Sequence, residues 1–156
     1  MSGFVSRFTN RIDRKGRVSV PAAFRQVLAR DEFDGLYCYP SLDMQAVDAG
    51  GAGLMAEIER HLSRYETFTE EHDFLSTAFY GLSERLTMDP EGRVALSDTL
   101  MAAAGIAEEV TFVGQGYKFQ IWEPGRYRDH EAEARRRALA LRRTSDRRAP
   151  QGEGPA

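Results

Sequence analysis

The stretch DRKGRVSVP, residues 13–21, has a second version seventy-six positions further on, DPEGRVALS, residues 89–97. Both begin with an aspartate, have a glycine three positions later, and continue with an arginine and alternating apolar residues. Aspartate first and glycine fourth are typical of a type I turn closed by a left-handed glycine, and alternation is typical of a half-buried strand. The sequence therefore predicts the same tight turn twice: corner one, residues 13–17, and corner two, residues 89–93.

The similarity between the two stretches continues along the chain, which indicates internal duplication. Phe24 aligns with Leu100, and "MQAV" (44–47) aligns with "FQIW" (119–122) after a slip of one residue. Each copy reads as two strands, a short helix and two further strands. In copy two, Ser97 is a preferred N-cap of the short helix, and Gly105 is well placed to end it. We therefore predict the α+β class, with a duplicated β-β-α-β-β unit whose copies close into one small barrel or sandwich with peripheral helices.

The order of these patterns divides the chain into segments, of which residues 1–143 are predicted to form a single duplicated domain. The segments are copy one (4–48), a helical insert (54–80), copy two (81–124), a C-terminal helix (125–143) and a disordered tail (144–156). Two apolar stripes of the insert are expected to pack on the barrel. They are Leu54, Met55, Ile58, Leu62 and Tyr65, then Phe74, Leu75, Ala78, Phe79 and Leu82.

The composition argues against several classes of protein. With one cysteine and three scattered histidines in 156 residues, the chain has neither a disulfide framework nor a Cys/His zinc site, and no cofactor or metal is predicted. No apolar run approaches the roughly 20 residues of a membrane span, and the N-terminus lacks the apolar region of a signal peptide. A soluble, cytoplasmic protein without a membrane partner is expected.

The net charge of −3 hides an uneven distribution. Residues 1–30 contain seven Arg or Lys against one Asp, whereas residues 31–80 contain two against eleven acids. Such asymmetry indicates a basic binding surface on an otherwise acidic body. The nine arginines of residues 124–156 are expected to form a solvated helix face, with auxiliary contact to DNA as the alternative.

The two corners differ chiefly in charge. If the strands beside corner one pair as a hairpin, Ile12 lies opposite Val18 and Arg11 opposite Ser19, so the cationic side chains share one outward face or the turn tip. Arg25 is expected to flank this surface. The candidate DNA-binding residues are Arg7, Arg11, Arg14, Lys15, Arg17 and Ser19.

The residues that both corners share are predicted to be structural. They are expected to hold the turn or to bridge to a neighbouring subunit by a charge-assisted hydrogen bond. This set is Asp13, Gly16, Arg17, Asp89, Gly92 and Arg93. Arg14 and Lys15 have Pro90 and Glu91 as counterparts, so the positive turn tip belongs to corner one alone.

A basic β-ribbon of this composition suits DNA. Arginine binds phosphate or guanine edges with two hydrogen bonds, lysine binds phosphate as a point charge, and a two-stranded ribbon fits the major groove. A basic protein-binding face explains the same residues, and charge alone leaves both hypotheses open. Because one such surface binds weakly, DNA recognition would need several subunits on repeated sites.

Three further classes of protein would use these residues differently. An enzyme would have to use the acidic region 57–73, whose carboxylates are expected on the polar face of an amphipathic helix with no phosphate-binding loop beside them. An antitoxin-like module would need apolar anchors in its tail, which the sequence lacks. An oligomeric scaffold remains as an alternative, in which the basic residues are incidental.

The segments "NRIDRKGRVSVPAAFR", "MDPEGRVAL" and "VTFVGQGYKFQIWEP" together resemble the MraZ family of bacterial regulators, in the AbrB/SpoVT swapped-hairpin superfamily. The resemblance covers about residues 3–143. It implies a swapped-hairpin barrel, a ring-shaped homo-oligomer and a nucleoid-associated location. It also implies transcriptional control, chiefly repression, of the promoter of the cell-division and cell-wall gene cluster through short repeated DNA boxes.

Overall fold

The computed structural model describes the backbone of residues 3–152 and the side chains of residues 3–146. The strands are β1 (Arg7–Arg11), β2 (Arg17–Ser19), β3 (Leu36–Pro40), β4 (Val47–Gly50), β5 (Glu84–Leu86), β6 (Arg93–Ala95), β7 (Glu109–Gly114) and β8 (Phe119–Trp122). The helices are α1 (Ala22–Arg30), α2 (Ala52–Leu62), α3 (Glu70–Ser76), α4 (Asp98–Ala104) and α5 (Pro124–Gly152), with a π-helical turn at Thr77–Gly81. The order β-β-α-β-β thus occurs twice, as the repeat predicted.

The two copies exchange their first strands. β1 pairs with β7 of copy two, and β5 pairs with β3 of copy one. β2 and β6, which follow the two corners, pair with each other. The predicted local hairpin around corner one is therefore wrong: Arg11 lies opposite Glu109, and Ser19 lies opposite Arg93.

The predicted closed barrel is not formed by the described residues. Six antiparallel strands form one open sheet in the order β1-β7-β8-β4-β3-β5, and β2 with β6 forms a separate two-stranded ribbon. Because β1 and β5 each pair on one side only, they are the two edges of the sheet. The fold is mixed α+β with a mostly antiparallel sheet, and we call the β2-β6 pair the ribbon.

The strand register has an internal two-fold symmetry. In the ribbon the pairing is symmetric about Val18 and Val94, which lie opposite each other. In the sheet it is symmetric about Asp48 and Gln120, the central pair of β4 and β8. This register corrects the alignment of "MQAV" with "FQIW": the strand starts three residues later, so "VDAG" (47–50) is the true counterpart.

One hydrophobic core fills the space between the ribbon and the sheet. Val18 and Val94 enter it from the ribbon, and Phe112 and Phe119 enter it from the sheet. The Phe24 ring of α1 lies 4.8 Å from the ring of Phe119 and is fully buried. Burial of side chains of this size contributes about 1.5–3 kcal/mol each, so the core also fixes the position of the ribbon.

The helix ends follow local chemistry. The Ser97 hydroxyl accepts a hydrogen bond from the backbone N–H of Leu100 at 3.2 Å, which makes Ser97 the predicted N-cap of α4. Gly105 ends α4 with φ of +65°, a left-handed conformation that glycine adopts at low cost. Pro21 stands just before α1, where its missing N–H costs no helix hydrogen bond.

The insert packs on the other side of copy one, but only in part as predicted. Leu54, Ile58 and Leu62 of α2 are buried with Tyr37 and Tyr39 of β3 in a second apolar cluster. The second stripe runs from α3 into the π-helical turn and is only partly buried.

Leu75 and Phe79, four residues apart, pack against the cluster of Tyr37, Tyr39 and α2, whereas Phe74 is 70% exposed and Leu82 55% exposed. The predicted continuous stripe is therefore wrong at these two positions. In the part of the chain that the structure describes, the insert therefore has apolar side chains exposed to solvent.

The last helix is longer than predicted. α5 continues from Pro124 to Gly152, so residues 144–152 of the predicted disordered tail are helical, and residues 153–156 lie outside the described part. Residues 144–149 contain no glycine or proline that would end a helix at 143. The chain divides into two compact units after Pro124. Across residues 3–152, no helix has the length and apolarity that a bilayer crossing requires.

Candidate nucleic-acid interface

Corner one is closed by its own aspartate. The backbone N–H groups of Lys15 and Arg17 both donate to Asp13 Oδ1 at 2.9 Å, and Arg17 Nε donates to Asp13 Oδ2 at 2.9 Å. The backbone N–H of Gly16 donates to Asp13 O at 3.0 Å, with φ of +80° at Gly16. One carboxylate thus fixes both the path of the turn and the direction of the Arg17 side chain.

Corner two repeats these contacts atom for atom. The backbone N–H groups of Glu91 and Arg93 donate to Asp89 Oδ1 at 2.9 Å, and Arg93 Nε donates to Asp89 Oδ2 at 2.8 Å. The backbone N–H of Gly92 donates to Asp89 O at 2.9 Å, with φ of +82° at Gly92. All six residues of the predicted structural set take part in these contacts, together with the backbone N–H groups of Lys15 and Glu91.

These hydrogen bonds make the two aspartates stronger acids than usual. The pKa of Asp13 is lowered chiefly by the backbone N–H of Arg17, and the pKa of Asp89 chiefly by that of Arg93. The pKa of Arg93 is raised first by its hydrogen bond to Asp89 and then by the nearby negative charges, Glu91 among them. Both aspartates are therefore ionised at neutral pH.

The ribbon brings residues of both copies onto one face. Val18 and Val94 point into the core, each 1% exposed. Because neighbouring residues of a strand alternate in direction, Arg17, Ser19 and Arg93 point away from the core. The pairing sets Ser19 directly opposite Arg93, so the arginines of corner one and corner two share this outward face.

The two arginines differ in the negative charge around them. The Arg93 guanidinium has three carboxylates near it: Asp89 at 2.8 Å, Glu91 at 3.2 Å and Asp13 at 4.0 Å. Arg17 makes its ion pair with Asp13 at 2.9 Å. The charge of Arg93 is thus largely compensated within the protein, whereas that of Arg17 is compensated less.

Arg14 and Lys15 form the tip of corner one, and both are exposed. Their side chains have no hydrogen-bond or ion-pair partner among the described residues. A Cβ built on Gly16 would have no heavy atom within 4 Å, so the tip is open to an approaching molecule. The tip of corner one therefore presents two uncompensated positive charges to solvent.

Arg7 and Arg11 lie on a different face. In the pairing of β1 with β7, Phe8 is opposite the fully buried Phe112, so Phe8 faces the core and its neighbours in β1 face away. Arg7 and Arg11 therefore lie on the side of the sheet that points away from the ribbon. The predicted set does not form one surface, because β1 pairs with β7 instead of β2.

Arg25 lies beside corner two, although the sequence placed it beside corner one. Its Nε donates to Val20 O at 3.0 Å, and its side chain covers Gly92. No local pattern signals this position, since Arg25 and Gly92 belong to different copies. Asn10 of β1 donates from Nδ2 to Ser19 O at 2.7 Å and so links β1 to the ribbon.

Among the side chains of residues 3–146, no group of three or more His, Cys, Asp or Glu is arranged to hold a metal ion. The interface offers guanidinium, ammonium and hydroxyl groups. These groups bind phosphates and the edges of bases.

Comparison with known proteins gives a consistent result. A family profile described as "MraZ protein, putative antitoxin-like" matches residues 79–148. A protein of Beijerinckia indica named "Transcriptional regulator MraZ" is 57% identical, over 99% of this chain and 96% of its own length. Proteins with the same name from Methylocella silvestris and Rickettsia bellii are 57% and 39% identical, over 92% and 93% of this chain. The similarity therefore extends far beyond the segment that the profile matches.

Proposed function

The chain belongs to the MraZ family of transcriptional regulators, and from that premise we propose that it binds double-stranded DNA through corner one and the outward face of the ribbon. Its function is regulation of transcription and not catalysis. The observation that carries the proposal is a difference in charge at constant geometry. Corner one has a net charge of +2 over residues 13–17, and corner two has −1 over residues 89–93.

The side chains of corner one and of the adjoining ribbon have different proposed parts in this binding. Arg14 and Lys15 contact phosphates, because they are exposed, positive and without a protein partner among the described residues. Arg17 and Ser19 face outward from the ribbon, where they reach base edges when the ribbon enters the major groove. Asp13 accepts a hydrogen bond from Arg17 Nε and so restrains that side chain, which means that less conformational freedom is lost on binding.

Arg7 and Arg11 have a secondary place in the proposal. They lie on the far face of edge strand β1, and both are exposed. Arginine side chains at an edge reach phosphates beside the sheet without entering a groove. Their contribution is therefore expected to be independent of DNA sequence and sensitive to salt.

We propose that several subunits act together as a ring-shaped homo-oligomer on repeated boxes. Exposed apolar side chains of the insert support a contact between subunits, above all Phe68, which is 99% exposed, and Phe74. The strand exchange of β1 and β5 supports the swapped-hairpin arrangement of the superfamily. The proposed target is the promoter of the cell-division and cell-wall gene cluster, repressed by the nucleoid-associated protein in the cytoplasm.

The test measures binding of the full chain to its own upstream promoter DNA by fluorescence anisotropy, at several salt concentrations. Arg17→Ala is expected to abolish specific binding, with a loss of about 1–3 kcal/mol or more in discrimination against a scrambled duplex. Arg93→Ala is the matched control, because it removes an arginine of the same geometry that three carboxylates already compensate. Native mass spectrometry checks that the oligomer persists.

Two results would overturn the proposal. One is an equal loss of specific binding in both variants, which would indicate that the arginines act only through the ribbon's structure. The other is a wild-type affinity that does not change with salt, since phosphate contacts require counterion release.

An antitoxin-like DNA-binding module is the second candidate, because the description of the matching family profile includes that term. It predicts that a partner protein co-purifies with the chain through α5 and dissociates when α5 is removed. An oligomeric scaffold, the third class, predicts an intact oligomer that does not bind DNA.

A further inference from the structure

The side chain of Arg25 lies directly over corner two. A Cβ built on Gly92 would be 2.6 Å from Arg25 Cδ and 2.7 Å from both Nε and Nη1. Gly92 is buried, whereas its counterpart Gly16 is half-buried with open space above it. Arg25 starts from α1 of copy one, so copy one places a guanidinium on the turn of copy two.

This guanidinium is held in place but not neutralised. Arg25 Nε donates to Val20 O at 3.0 Å, and the neighbouring Val20 N–H donates to Gly92 O at 2.9 Å. Among the described residues, no carboxylate oxygen lies within 4.0 Å of the Arg25 guanidinium. The remaining N–H groups of Arg25 therefore keep both their charge and their capacity to donate.

The internal repeat separates a structural role from a binding role. Met101 stands at the position of copy two that corresponds to Arg25. Corner one forms the same hydrogen bonds as corner two although no side chain covers Gly16. A covering guanidinium is therefore not required to form the turn, and its presence at corner two needs another reason.

We propose that Arg25 is a further DNA-contacting residue, which gives corner two the phosphate-binding cation that Pro90 and Glu91 do not provide. The inference rests on the proposed function. It extends the DNA interface from corner one across the ribbon to corner two, with a phosphate contact at each end. A fixed guanidinium suits phosphate because it donates two parallel hydrogen bonds.

The test compares Arg25→Met, Arg25→Lys and Arg30→Met in the full-length protein. Arg25→Met copies the residue of copy two, Arg25→Lys keeps the charge, and Arg30→Met removes one charge from an exposed position of the same helix. Affinity for the promoter duplex and for a scrambled duplex is measured across salt by fluorescence anisotropy. Melting temperature and oligomer mass are recorded for every variant.

Arg25→Met is expected to weaken binding to both duplexes on the order of 10-fold and to reduce the slope of log affinity against log salt by about 0.9, the value for one phosphate contact. Arg25→Lys is expected to keep the wild-type slope, and Arg30→Met is expected to keep both slope and affinity.

An unchanged slope in Arg25→Met would overturn the inference, whether or not affinity falls. A lower affinity at constant slope, with a lower melting temperature in both Arg25 variants, would show that Arg25 only covers Gly92. Equal slope changes in Arg25→Met and Arg30→Met would also sink it, since the effect would then follow net charge. Failure of wild type to bind DNA would instead refute the proposed function itself.

Discussion

Corner one and corner two have the same hydrogen bonds, but they differ in the charge at the tip and in what covers the glycine. In each, one aspartate accepts two backbone N–H groups and the Nε of an arginine, and a left-handed glycine closes the turn. Around corner one the tip is positive and uncovered, whereas around corner two the tip has Glu91 and the glycine lies under Arg25. The geometry of the turn therefore does not depend on the charge that it presents.

The largest effect is expected from a variant in which the tip of corner one is replaced by that of corner two, through Arg14→Pro and Lys15→Glu. The turn should form, because Pro90 and Glu91 already occupy it in the same conformation. The change alters the charge of the tip by −3, and we expect promoter affinity to fall by at least on the order of 100-fold. The slope of log affinity against log salt should decrease by about 1.8, the value for two phosphates. Anisotropy measures the affinity and the slope, and circular dichroism checks the fold.

The reverse change, Pro90→Arg with Glu91→Lys, is the matched control. Undiminished binding in the corner-one variant would refute a role of the tip in DNA recognition. A loss of folded structure in that variant would refute the equivalence of the two turns.

A second test compares Gly16→Ala with Gly92→Ala in urea denaturation. Both glycines have φ near +80°, so each alanine is expected to cost about 1–2 kcal/mol of the free energy of unfolding. Gly92→Ala is expected to cost more, because its Cβ must also displace Arg25. Adding Arg25→Met should remove that excess, and a larger cost at Gly16 would contradict the described packing.

The smallest expected effect concerns pH. The pKa values of Asp13 and Asp89 are both lowered in the folded protein, chiefly by backbone hydrogen bonds. Their contribution to stability is therefore fully present above the unfolded value of about 3.9 and is lost as pH falls through the folded pKa.

Carboxyl NMR titration should show both aspartates ionising below about pH 3.9, and Asp89→Asn should make the acid-induced loss of stability shallower. An ordinary pKa at either aspartate would show that its backbone hydrogen bonds are not kept in solution.

The elements that the sequence predicted well are those determined by local chemistry. The two corners follow from aspartate and glycine at fixed spacing, and the start and end of α4 follow from Ser97 and Gly105. The duplication was visible because the same local pattern occurs twice. In each case the residues that specify the structure are within a few positions of one another.

The elements that the sequence predicted poorly depend on distant partners. Alternation shows which face of β1 is buried but not which strand β1 pairs with, so the predicted partner of Arg11 was wrong. That error placed Arg7 and Arg11 on the ribbon face. The position of Arg25 depends on Gly92, which is distant in sequence, and burial within the second stripe of the insert depends on contacts with α2 and β3.

The strand exchange also has a consequence for synthesis of the protein. The hydroxyl groups of Thr9 and Thr111 are hydrogen-bonded at 2.9 Å across 102 positions, because β1 pairs with β7. At ribosomal speeds of about 5–20 residues per second, the first strand waits roughly 5–20 s for its partner. During that time the nascent chain exposes an unpaired strand next to its positive turn, and copy one is unable to finish folding before copy two emerges.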